Sequence, residues 1–426
     1  MASLKRNLGV LGLTAIGINM TVGVGVFVLP SAFIAGFGTF WAPILVLAVG
    51  VGLIPIALCF AELGGRYDES GGPYLYVRCA FGPMAGFLVG WLSWVTRIVS
   101  HASVLVVGID ALQGVTGDFL DPTLLGIALA TGITGVLCFI NVRGSSPGIS
   151  LLFGLSIFKF APLFLLIVFG LPFVLESGHE TTIPTGMSDW GQTMILAAFG
   201  LVGFEMLTVV GGETRDPNHS MPRALILALV FATVFMSALT FLTANILDNP
   251  SISEQPLVDV AESVLGPLGT IFVISALIFS VLGHNASSLI ASSRILFSLG
   301  EKRDIPSFFA TIHKRFKTPG TSLVVCAAVI VALAVSGSYI FLAVLGGVTR
   351  ILIYFAIAAT TIRLRTERFS GAAGLTGFKA PGGMLMPAVS LVFCIFLLTG
   401  TTIQSILSVM IALAIGVAFY FIAKRA

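Results

Sequence analysis

Two stretches of the chain put glycines and polar groups where an apolar run would otherwise form an uninterrupted helix. Gly17-Ile18-Asn19-Met20-Thr21-Val22-Gly23-Val24-Gly25-Val26-Phe27 is followed by Pro30, and Phe199-Gly200-Leu201-Val202-Gly203-Phe204-Glu205 ends on an acid. Glycine carries a high backbone-entropy cost in a helix, and Pro30 cannot donate to the carbonyl of Val26, so the first helix is predicted to break near residues 21–25 and the second midway along its span. Unpaired backbone at membrane depth costs several kcal/mol per group and persists only where it lines a cavity or meets a ligand. The broken ends differ in polarity. The N–H groups from Val24 to Val26 open the positive end of a half-helix and suit a carboxylate, whereas the carbonyls of Thr21, Phe199 and Val202 sit at negative ends and suit an ammonium. An amino acid zwitterion presents both.

Charged groups at the same depth are few. Lys159 stands alone among the charges of Leu151–Leu175, and a lysine there costs at least a few kcal/mol unless carbonyls, an acid or water receive it. Glu205 reads as a hydrogen-bonded brace for the second break. Arg97 and His101 lie one helical turn apart and face the same side. His284 and Asn285 fall inside one apolar run, and Arg350 and Asp110 are read as ion-pair members. No His, Cys, Asp or Glu group has metal-ligand spacing, and no phosphate loop or nucleophile elbow is present, so neither metal nor cofactor is expected.

The elements that must position these groups are membrane helices. Of the 426 residues 57% are hydrophobic and 10% charged, far from the balance of a water-soluble domain. Twelve apolar runs approach the length needed to cross a bilayer, at 8–35, 40–63, 82–112, 123–142, 149–175, 190–212, 224–247, 266–297, 321–336, 339–362, 383–399 and 402–423. The two interruptions lie five runs apart. One glycine cluster alone more often marks close helix packing, but packing predicts no matching interruption in a second half, and paired discontinuous helices point to a site at a repeat interface. Arg97, Lys159 and Arg350 fall inside runs, and the remaining basic residues gather at alternate ends, from Lys5 and Arg6 to Lys424 and Arg425. That alternation places both termini in the cytoplasm and the protein in the inner cell membrane as a multi-pass chain. Lys5 and Arg6 lead into a run too long for a cleavable signal core. The five cysteines offer no disulfide in an outer loop, and the 113–122 connection holds none, so no disulfide-linked partner subunit is expected. The net charge of +3 comes from the loops and calls for no nucleic acid.

Several motifs resemble the amino acid-polyamine-organocation superfamily. Gly23-Val24-Gly25-Val26-Phe27 with Leu29-Pro30 is similar to its first-helix motif. Ala61-Glu62-Leu63-Gly64, Ser70-Gly71-Gly72-Pro73-Tyr74-Leu75-Tyr76-Val77-Arg78 and Phe81-Gly82-Pro83 resemble the second helix and following loop of its amino acid permeases. Phe199 to Glu205, Glu213, Asp216-Pro217 and Met221-Pro222-Arg223-Ala224 look like the sixth helix and its exit, and Ser292-Ser293-Arg294 with Asp304-Ile305-Pro306 like the end of the eighth. The resemblance implies an all-α, LeuT-like fold in one transmembrane domain over 1–426. Within it, spans 1–5 (8–175) and 6–10 (190–362) form two inverted repeats, two accessory helices (383–423) follow, the first and sixth spans are discontinuous, and the chain works by alternating access.

It also implies a substrate site. Backbone at Gly23, Val24 and Gly25 holds the carboxylate; carbonyls at Thr21, Phe199 and Val202, beside Gly203, hold the amine; Lys159 stands where relatives bind sodium. Lys159 is then expected to tie the first-helix segment Gly17–Thr21 to the hydroxyls of Ser287, Ser288 and Ser292, which leaves open whether it carries a coupled proton or is a fixed tether. Val24 stands where a serine is common, leaving backbone amides alone for the carboxylate. The expected function is sodium-independent transport of L-amino acids, proton-coupled or by exchange. Small residues at Ser287, Ser288, Gly200 and Gly203 suggest a small or medium neutral cargo. An exporter, or a polyamine carrier needing more acids than Glu205, is the alternative within transport; an intramembrane enzyme or receptor lacks a spaced catalytic set.

Overall fold

The computed structural model describes residues 9–66, 72–116, 122–143, 149–177, 190–214, 216–316, 318–366 and 378–425. Expectations that rest on Lys5, Arg6, Ser70, Gly71, Arg215, Lys317 and residues 117–121 lie outside the described residues. In a bilayer each backbone N–H and C=O must be paired within its own segment, and the long apolar runs accordingly fold as helices. They are α1 (Val10–Thr21), α2 (Gly25–Arg66), α3 (Gly72–Phe81), α4 (Pro83–Thr116), α5 (Pro122–Val142), α6 (Ile149–Ser177) and α7 (Trp190–Gly200). A 3₁₀ segment (Phe204–Glu213) follows, then α8 (Pro217–Ile246), α9 (Pro256–Glu301), α10 (Gly320–Ser336), α11 (Tyr339–Arg365), α12 (Leu385–Leu398) and α13 (Ile403–Arg425). Among the described residues nine helical stretches are long and apolar enough to cross a membrane, and α1, α10 and α12 are shorter apolar helices. The chain is an all-α, multi-pass membrane protein.

Two of the long helices are bent at a glycine. Gly38 (φ 73°) lies inside α2 and Gly266 (φ 64°) inside α9, each in the left-handed region that a side chain resists. Gly38 falls in the gap between the first two apolar runs, so the helix turns there without a separate loop. Residues 72–81, which the resemblance places in the loop after the second helix, form a helix instead. Pro73 sits in its first turn, where a missing N–H costs nothing, and Tyr76, Val77 and Ala80 are buried along one side.

Side chains of α4 and α7 are mostly enclosed, whereas α5, α6 and α13 turn large apolar residues such as Phe139, Phe158, Val168 and Ile411 outward, the surface that lipid covers. α4 and α11 are joined at the centre, where Thr96 Oγ1 donates to Thr349 Oγ1 at 2.8 Å. α2 and α8 approach closely at Gly50, where a Cβ would run into the Thr233 side chain, and Ser237 Oγ donates to the Pro43 carbonyl at 2.9 Å.

One rim of the bundle is held by charge. Buried Glu62 receives Arg66 at 2.6 Å, Arg365, and the Ala380 N–H at 2.9 Å. Buried Asp304 receives Arg78 at 3.4 Å, Lys424 at 3.2 Å and the Tyr74 hydroxyl at 3.2 Å. Burial, and then the neighbouring Asp304, push the Tyr74 phenol up to about 12, so it serves as a neutral donor.

Gly50→Ala should lower the thermal unfolding midpoint in detergent relative to Gly132→Ala. A Cβ at Gly132 meets nothing within 4 Å, so helix propensity cancels between the two and the overpacking cost of about 1–3 kcal/mol is isolated. Equal midpoints would contradict the close α2–α8 approach.

Candidate functional site

The first interruption occupies three residues. α1 closes with the Val22 N–H donating to the Ile18 carbonyl at 2.8 Å and Thr21 Oγ1 to the Gly17 carbonyl at 2.8 Å. The Gly23 N–H folds back to the Thr21 carbonyl at 3.0 Å, and α2 resumes at Gly25. The Gly23 amide, expected to face a carboxylate, is therefore engaged by a tight turn. The amides of Gly25 and Val26 belong to the first turn of α2, which supplies them no intrahelical acceptor. A Cβ at Gly23 would meet nothing within 4 Å, while one at Gly25 would lie 3.6 Å from the Tyr339 hydroxyl oxygen, which has no partner among the described residues.

The second interruption follows α7. The Leu201 N–H turns back to the Ala198 carbonyl at 3.1 Å, and the chain re-enters as a 3₁₀ segment with the Met206 N–H on the Gly203 carbonyl at 3.1 Å. Gly203 has φ 127°, and a Cβ there would collide with the Met20 carbonyl oxygen and stand 3.0 Å from the Thr21 Cα. The two breaks thus meet backbone to backbone, and only glycine fits both the dihedral angle and the contact. Phe199 packs on α11 at Gly346, where a Cβ would lie 3.0 Å from its ring, and Val202 is buried.

Each break has its own charged cap. Lys159 Nζ donates to the Val22 carbonyl at 2.6 Å, the Asn19 side-chain oxygen at 2.9 Å and the Asn19 carbonyl at 3.2 Å. A cation there meets the negative end of α1. The expected second half of that tether is absent: Ser287 donates to Gly283, Ser292 to Leu289, and Ser288 to the Arg97 carbonyl at 3.3 Å. A helical serine satisfies its hydroxyl on nearby backbone more readily than by reaching a distant ammonium. Glu205, 3% exposed, caps the other break. One carboxylate oxygen accepts the Gly203 N–H at 2.8 Å and the Tyr354 hydroxyl at 3.0 Å, and the other lies 3.1 Å from Arg350 Nε. Tyr354 is itself fixed by Phe60 and Phe204, with ring centroids 5.5 and 6.0 Å away.

Of the other polar residues, Asp110 is exposed and stands in range of an acid, Glu254, and among the described residues of no base. His101 and Asn285 are buried, with side-chain nitrogens and oxygens that find no partner among the described residues. His284 Nε2 lies 3.5 Å from Ser100 Oγ. Tyr354 and Tyr339 escape sequence reading because a tyrosine inside an apolar run gives no hint of where its hydroxyl ends.

The family model described as amino acid permease matches residues 8–423. The chain belongs to the amino acid permease family. The permease is 25% identical to the serine/threonine exchanger SteT of Bacillus subtilis (strain 168), over 99% of this chain and 98% of that protein. It is 27% identical to the Asc-type amino acid transporter 1 of Mus musculus, over 93% and 76%. It is 29% identical to the polyamine transporter PUT1 of Oryza sativa subsp. japonica, over 62% of this chain and 50% of that protein. It is thus a membrane transporter related to amino acid and polyamine carriers, not an enzyme; among the described residues no cluster could hold a metal ion.

Glu205→Ala should destabilise the permease by up to about 3 kcal/mol, because it leaves Arg350, only 12% exposed, unpaired. Adding Arg350→Met should recover part of that loss. Thermal melts in detergent of both variants test it; additive losses would show that the two side chains are not coupled.

Proposed function

We propose that this permease carries L-amino acids by alternating access, with the cargo's charged groups held between the two helix interruptions. The observation that carries the reading is the contact of Gly203 with Met20 and Thr21, which brings two oppositely polarised sets of backbone ends to one place. The carboxylate is assigned to the amides from Val24 to Val26 and to the open space beside Gly23, and the ammonium to the carbonyls of Thr21, Phe199 and Val202. In this reading α1 with the first part of α2, and α7 with the 3₁₀ segment, are the discontinuous first and sixth of twelve spans. The repeats are 8–175 and 190–362, the accessory helices lie in 383–423, and both termini are cytoplasmic.

Lys159 takes the place of a bound cation by holding the Asn19 and Val22 carbonyls, which favours sodium-independent transport, by proton coupling or exchange. A full-length relative named as a serine/threonine exchanger supports amino acid cargo. The polyamine reading is weaker: the match to the polyamine transporter covers less of either chain, and Glu205 is already ion-paired to Arg350. The small residues that suggested a neutral cargo are used in packing. Gly200 admits Met236 and Leu29, Gly203 admits Met20, and Ser287 and Ser288 donate to backbone.

A panel of radiolabelled L-amino acids and putrescine, tested on proteoliposomes without sodium and with and without a pH gradient, should show amino acid uptake and no putrescine uptake. Lys159→Ala should cut the rate about tenfold to a hundredfold, the cost of losing a buried charged donor of about 1.5–3 kcal/mol. Putrescine uptake alone, or a Lys159→Ala variant at the wild-type rate, would overturn the respective parts.

A further inference from the structure

The charges in the middle of the bundle do not balance. Lys159, Arg97 and Arg350 all lie within electrostatic range of His284, so three cations converge on one region, and among the described residues the carboxylate beside them is Glu205. That carboxylate is committed to Arg350, Tyr354 and the Gly203 amide. Lys159 is committed to neutral oxygens at the end of α1.

Arg97 is left over. Among the described residues no carboxylate or carbonyl receives its guanidinium, which rests against the Met206 sulfur, a weak acceptor. It is half-buried, lies in range of the like-charged Arg350 and of Glu205, the carboxylate already paired to Arg350, and cannot shed its proton. Its main chain is anchored to α9, because the Arg97 carbonyl accepts Ser288 Oγ at 3.3 Å. Met206 in turn donates its N–H to the Gly203 carbonyl, so the guanidinium reaches the chain three residues beyond the contact between the two breaks. A planar guanidinium with free donors matches a carboxylate in bidentate geometry. A charge kept unpaired at membrane depth marks a substrate path.

We infer that the cargo carries a second carboxylate, that of a dicarboxylic amino acid of aspartate or glutamate size, and that Arg97 is the specificity-determining residue that receives it. The inference rests on the zwitterion reading above: the two breaks hold the α-carboxylate and ammonium, and Arg97 takes the side-chain carboxylate. It replaces the neutral cargo expected from sequence. A polycation would add to the positive surplus, and a neutral side chain would leave it uncompensated.

The test is uptake of radiolabelled L-aspartate, L-glutamate, L-serine and L-alanine into sodium-free proteoliposomes holding the full chain, with kcat/KM measured for each. The wild type should favour the acidic pair by about tenfold or more, and Arg97→Gln should bring that ratio to about one, since a site built around a polar partner discriminates strongly. Arg97→Lys should restore part of it. Wild-type uptake of serine and alanine with exclusion of both acidic amino acids sinks the inference and leaves the zwitterion reading standing; an unchanged ratio in Arg97→Gln also sinks it. Uptake of neither class sinks the inference, and the wider L-amino acid panel decides the zwitterion reading separately. Where Arg97→Gln does not insert, the wild-type preference decides.

Discussion

The structure depends on bare backbone meeting bare backbone at membrane depth. Gly203 presses on the Met20 carbonyl and the Thr21 Cα, and backbone that helices leave unpaired in an apolar surround is costly. Two helices interrupted at the same level would be costly without compensation, and the compensation is electrostatic and opposite in sign. A lysine closes the carbonyl end of the first break, and a glutamate closes the amide at the second. Each cap is anchored from another part of the chain: Lys159 comes from α6, while Glu205 is held by Arg350 and Tyr354 of α11. The geometry of the breaks is therefore set by tertiary contacts and not by local sequence alone.

The sequence made the interruptions and the lysine readable because each breaks a strong expectation: glycine clusters weaken helices, and an unpaired cation in an apolar run demands a partner. It also made the apolar runs readable, since length and hydropathy are local properties. What it withheld is long-range. Nothing near Glu205 announces Tyr354, which lies 149 positions away, and nothing in Phe204–Glu213 announces that the re-entrant turn is 3₁₀. The helix at 72–81 was hidden by Gly72 and Pro73, which usually punctuate loops but here open a first turn. Ser287 and Ser292 of α9 misled for a local reason. Hydroxyls inside membrane helices tend to turn back to their own backbone, as Thr240 and Thr243 also do toward Met236 and Leu239.

Small residues in this chain set distances between helices more than they shape a pocket. Gly50 lets α2 approach Thr233 of α8, Gly36 lets it approach Thr193 of α7, and Gly346 receives Phe199. Reading cargo size from glycines is unsafe where each has a neighbour already filling its space. Charge is a better guide, because an unmatched arginine cannot be absorbed by packing.

The two ends of the problem are held by different forces. At the rim, Glu62 and Asp304 gather cations from α2, α3, α11 and α13, and of these the Arg78 and Lys424 pairs on Asp304 have a partly exposed cation and weaken as dissolved ions accumulate around them. The glycine contact between the two breaks joins uncharged backbone and has no such sensitivity. Any motion that parts the rim therefore becomes easier as ionic strength rises while the centre keeps its grip, so the medium can tune one without disturbing the other.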